Sequence, residues 1–87
     1  MRLTKIGEKD DRILLQNETG EKGYFLFIDL LRRGEKEYAA LADENGDIFV
    51  MEFIDGKTEI YTEIADDGEF DAVCAAFAER NPEDFDY

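Results

Sequence analysis

Apolar and polar positions alternate with a period of two along most of the chain, and glycine-bearing polar turns separate the alternating stretches. Asn17-Glu18-Thr19-Gly20, Arg32-Arg33-Gly34-Glu35, Asp43-Glu44-Asn45-Gly46 and Asp55-Gly56 recur at about one strand length. Period two puts successive side chains on opposite faces of a pleated strand, and short turns rich in Gly, Asn and Asp reverse it. The pattern therefore predicts antiparallel strands over residues 12–16, 24–31, 37–42, 47–54 and 57–64. Residues 1–11 read as a polar lead-in with little structure, in which only Leu3 and Ile6 offer apolar anchors.

Within these strands the pattern is uneven. In residues 24–31, Tyr24, Leu26, Ile28 and Leu30 point one way and Phe25, Phe27, Asp29 and Leu31 the other, so both faces are apolar and the strand belongs inside a sheet. Asp29 interrupts one face; a buried lone carboxylate is costly, so it marks a bulge, a sheet margin or a paired charge. Tyr38 and Leu41 lie on opposite faces of the third strand, with small alanines between that suit a bulky neighbour. Phe49, Met51 and Phe53 share a face of the fourth. Asp55-Gly56 suits a two-residue type I′ turn. In the fifth strand Glu59, Tyr61 and Glu63 alternate with Ile60, Thr62 and Ile64, which reads as one wet face near a sheet edge.

The period changes before Phe70. Phe70, Val73, Cys74 and Phe77 recur at i, i+3, i+4 and i+7, the spacing of one helix face. Four nearby alanines favour the helix, and Asp66 or Asp67 can cap it, with Glu69 at capping-box distance from Asp66. Asn81-Pro82 stops it. The expected architecture is α+β: a five-stranded, mainly antiparallel meander over residues 12–64, one helix over 67–80 packed on it, and an acidic tail, 81–87, carrying Phe85 and Tyr87.

Composition narrows the function. Eighty-seven residues form one domain, and a chain this short buries roughly 60–65% of its unfolded surface. Cys74 is the only cysteine, which suits a reducing compartment. With no apolar run long enough for a signal peptide or membrane span, the expectation is a cytoplasmic protein that engages neither membrane nor nucleic acid. The net charge is −13, of which residues 63–87 hold nine acids against one base, Arg80. Such a surface keeps a small protein soluble and repels nucleic acid. Histidine, serine and tryptophan are absent. No Ser–His or Cys–His pair can form within one chain, and one cysteine makes no zinc cage. No catalytic, cofactor or metal residues are assigned, and the expectation is a protein that is not an enzyme.

The order of elements from about Arg12 to Arg80 resembles domain-of-unknown-function family 1292, the YrzB-like small acidic bacterial proteins, mostly from Firmicutes. The likeness rests on the strand Tyr24-Phe25-Leu26-Phe27-Ile28-Asp29-Leu30, on Gly34-Glu35-Lys36-Glu37-Tyr38-Ala39, and on Asp71-Ala72-Val73 with Phe77. It implies a bacterial, cytoplasmic origin and brings no activity, ligand or site residue. The loop after the third strand is the point of departure: family members carry more acids there than the Asp43-Glu44-Asn45-Gly46 of this chain.

Individual clusters read as structural. Asp43, Asn45, Asp47 and Glu52 miss calcium-loop spacing, since Gly46 falls fourth after Asp43 rather than sixth. Asp66-Asp67 with Glu63 and Glu69 is explained by helix capping. Cys74 sits on the apolar helix face as a small hydrophobe. Arg32, Arg33 and Lys36 make a solvated turn. One helix covers one side of a sheet, so Phe25, Phe27, Phe49, Met51 and Phe53 form a possible partner surface unless the sheet curls closed or the N-terminal segment, a second copy or a foreign protein shields it. The leading functional expectation is a non-catalytic protein-binding or scaffold module, self-association included. The alternative is an acidic regulator that occupies a basic site of a nucleic-acid-binding protein. An enzyme working through paired carboxylates ranks last.

Overall fold

The structure, a computed structural model, describes residues 2–85. The expected lead-in is a strand. Among the described residues the order is β1 (Arg2–Lys9), β2 (Arg12–Gln16), β3 (Lys22–Arg33), β4 (Lys36–Ala42), β5 (Ile48–Asp55), β6 (Glu59–Thr62) and α1 (Asp67–Arg80). Every neighbouring pair is antiparallel, and β1 also pairs with β6, so the six strands close into a barrel rather than a five-stranded open meander. β6 pairs on both sides, with β1 and with β5, which corrects its placement at a margin.

β1 escapes a periodicity search because its register shifts between Lys5 and Gly7, which breaks the alternation at Ile6. Asp10 and Asp11 then turn the chain between the paired Lys9 and Arg12, with Asp10 at φ 58°, a left-handed conformation that aspartate tolerates better than most residues. A second shift, between Phe27 and Asp29, places Ile28 and Asp29 together on the outer side of β3. The strict alternation expected for 24–31 therefore fails halfway along, and Asp29 is both at a bulge and paired. The Asp55-Gly56 turn also differs: Asp55 pairs with Glu59 around a three-residue loop, and Gly56 does not take the positive φ of a type I′ turn.

Two apolar clusters result. Inside the barrel, Leu3, Leu15, Ala39, Leu41, Met51 and Tyr61 are buried, with Ile13, Phe25, Phe27, Phe49 and Phe53 packed around them. Tyr61, expected on a wet face, is fully buried there. Outside, Tyr38, Ala40 and Val50 receive Val73 and Phe77 of α1, and Phe85 stacks on Phe77 with ring centroids 6.2 Å apart. Ala40 is the small residue that lets the helix approach. Asp66 caps α1, its carboxylate accepting the Glu69 amide at 3.1 Å. The reciprocal half of a capping box is not made; the Glu69 carboxylate instead accepts the Tyr38 hydroxyl and lies 3.7 Å from Lys36 Nζ. Phe70, expected on the packed face, is 40% exposed, because the buried stripe runs through Val73 and Phe77. Tyr87 lies outside the described residues.

Candidate functional site at the open end of the barrel

Hairpin connections alternate between the ends of an antiparallel barrel, and here the two ends differ in chemistry. The end with the β1–β2, β3–β4 and β5–β6 turns carries polar pairs, and a hollow of about 230 Å³ opens there between Glu35–Glu37 and Glu52–Asp55. Lys5, on the inward side of β1 with Leu3, pairs with Glu8 and lies 3.7 Å from Glu59 Oε1, and the Tyr61 hydroxyl donates to the same Glu59 oxygen at 3.1 Å. The hydrogen bond to Glu8 holds the Lys5 ammonium above its ordinary pKa. Burial, with the Glu59 charge second, pushes the Tyr61 phenol well above the usual tyrosine range.

The other end carries the β2–β3 and β4–β5 turns and stays open. Leu3, Leu15, Phe25 and Phe49 wall an apolar pocket of about 210 Å³, and Asn17, Glu21, Lys22 and Gly23 complete its lining. The Phe25 and Phe49 rings meet edge to face at 6.0 Å between centroids and 75° between planes, which fixes that wall. The β2–β3 turn is held by Asn17, whose side-chain oxygen accepts the Thr19 amide at 3.1 Å and the Glu21 amide at 2.9 Å.

Gly23 is the residue that keeps the pocket open. It pairs with Leu15 and so faces inward, where any side chain would enter the cavity. Its φ is not in the left-handed region, and a Cβ there would meet its nearest atom, Phe25 Cε1, at an ordinary 3.6 Å. Neither backbone nor packing requires glycine at this place. Glycine within a strand otherwise costs about 0.5–1 kcal/mol relative to alanine and often marks close approach of a ligand or another chain.

All five aromatic and methionine residues singled out in the sequence lie on the inward face. Met51 is buried at the centre of the lumen, Phe27 and Phe53 pack edge to face at 6.5 Å, and only Phe25 and Phe49 line the open end. They form no flat outer patch. Sequence reasoning missed Leu3, Leu15 and Gly23 as pocket residues; the alternation that begins at Gly23 itself was the available signal for the glycine.

The remaining clusters have structural roles. Asp43 Oδ1 accepts the amides of Asn45 and Asp47, each at 2.9 Å, and so shapes the β4–β5 turn. Cys74 is half-buried beside the outer cluster, and burial followed by the Asp71 charge raises its thiol pKa. Arg33 and Gly34 border an open hollow with Asp66, Gly68 and Glu69. No helix among the described residues is long and apolar enough to cross a membrane.

No curated protein and no solved structure matches this chain. Residues 18–81, from the β2–β3 turn to the end of α1, match the family described as "Protein of unknown function (DUF1292)"; β1 and β2, which bring Leu3 and Leu15 to the pocket, precede the matched stretch. The chain belongs to the DUF1292 family.

Proposed function

We propose that this protein is a non-catalytic protein-binding module that receives an apolar side chain of its partner in the open end of the barrel. The observation that carries this reading is Gly23: an inward-facing strand position is left without a side chain although a Cβ there would meet only ordinary contacts, and the space it leaves is mainly apolar. Burial of apolar surface supplies about 25 cal/mol per Å², so one well-filled pocket anchors a contact. Its walls are the apolar Leu3, Leu15, Phe25 and Phe49, and Glu21 and Lys22 are the charged residues of the lining.

Selection of random peptides on the immobilised protein tests the reading, with Gly23→Val as the counter-target. Valine suits the strand and plugs the cavity. Peptides retained by the wild type and lost on Gly23→Val are expected. Equal retention by both proteins, or no enrichment on the wild type, would refute the assignment.

A further inference from the structure

Resting on that reading, we infer that the occupant is a basic linear segment of a partner protein carrying one bulky apolar side chain as its anchor. Two independent features of the open end specify it. The first is size: about 210 Å³ walled by two leucines and two phenylalanines accommodates a single large side chain, not a helix face or a row of residues. The second is the charge around the opening. The β2–β3 turn contributes Glu18 and Glu21, and the β4–β5 turn contributes Asp43 and Asp47, on a molecule of net charge −13; Glu44 of the latter turn borders a separate hollow with Lys9, Asp10 and Arg12. Among the described residues Lys22 is the one base lining the pocket. Asp43 is engaged in its turn and Glu21 accepts from Asn17 and Thr19, yet hydrogen bonding leaves their negative charge in place, and the field at the opening attracts cations. An acidic segment with the same anchor would be repelled by that field, and a neutral one would gain nothing from it. Lysine and arginine flanking the anchor would reach the exposed carboxylates from the rim, where ion pairs act mainly on association rate and salt dependence.

Three fluorescent pentapeptides with blocked ends provide the test: Lys-Arg-Phe-Lys-Arg, its Phe→Ala version, and Glu-Glu-Phe-Glu-Glu. Each is titrated into the full chain and into Gly23→Val by anisotropy. The basic peptide with phenylalanine is expected to bind the wild type at least about tenfold more tightly than either control, a difference of about 1.4 kcal/mol. Its affinity should fall several-fold between about 20 and 200 mM salt, as the Debye length shortens. Gly23→Val should bind it no better than the wild type binds the alanine version. Equal binding of the acidic peptide, itself lost on Gly23→Val, overturns the charge inference while leaving the pocket reading intact. Binding of the basic peptide that ignores both Phe→Ala and Gly23→Val marks nonspecific attraction and overturns both. Failure of all three peptides to bind at millimolar concentration overturns the basic-segment inference, and the peptide selection above then decides the pocket reading separately.

Discussion

Asp29 joins the barrel to the helix. Its carboxylate accepts Asn81 Nδ2 at 2.9 Å and Arg80 Nη2 at 3.2 Å, while Arg80 Nη1 donates to the Leu30 carbonyl at 3.2 Å, so the end of α1 is tied to the β3 bulge. Asp29→Ala strands several donors and is expected to cost about 1–2 kcal/mol, whereas Arg80→Ala removes a half-exposed cation and should cost only about 0.5–1 kcal/mol. Urea midpoints of the two variants check the order; a larger loss for Arg80→Ala would contradict it. Tyr61 makes a pH prediction. Its neutral phenol is favoured in the folded state, so its folded pKa lies above the unfolded value of about 10. The stabilisation is complete below that unfolded value and is lost as pH rises toward the folded one. Tyr61→Phe should flatten the fall in stability above about pH 10, seen as a smaller drop in melting temperature than in the wild type.

The helix and the seam of the ring are the elements most open to test. α1 buries Val73 and Phe77 and leaves Phe70 40% exposed. Phe77→Ala should cost about 3–5 kcal/mol, enough to unfold much of so small a domain, while Phe70→Ala should change stability by at most about 0.5 kcal/mol. Chemical denaturation distinguishes them, and equal effects would mean that the helix docks on another face. Among the strand pairs, β1 meets β6 only at Arg2–Thr4 against Ile60–Thr62, while β3 and β4 are paired along most of their lengths. Amide exchange should therefore be fastest across the β1–β6 seam and slowest in β3–β4, with the reverse order counting against the closed ring.

At the scale of the molecule, charge is segregated. Residues 1–26 hold five acids and five bases, so the whole net charge of −13 resides in residues 27–87. That segment includes β4, β5, β6 and α1, which must pack together against their own repulsion. Salt should relieve this. Raising sodium chloride from about 10 to 150 mM shortens the Debye length from roughly 30 to 8 Å and should raise the melting temperature by a few degrees. An unchanged or lowered melting temperature would show that the acids are offset within the fold.

Period-two alternation was enough to read β2 to β6 from the sequence, and period 3.6 with the Asp66 cap and the Asn81-Pro82 stop was enough to place α1, because both signals are local. The apolar double face of residues 24–31 also announced that something must cover a second side. What covers it was decided by tertiary structure. Closure depends on Arg2–Thr4 meeting Ile60–Thr62 from the opposite end of the sheet, a pairing with no local signature, and the Lys5–Gly7 shift conceals the strand that makes it. The bulge at Ile28 moved side chains between faces for the same reason, since register is a property of two strands and not of one. The open pocket is likewise tertiary: Leu3, Leu15, Gly23, Phe25 and Phe49 are dispersed along the chain, and only a tilted, closed ring turns them toward one cavity.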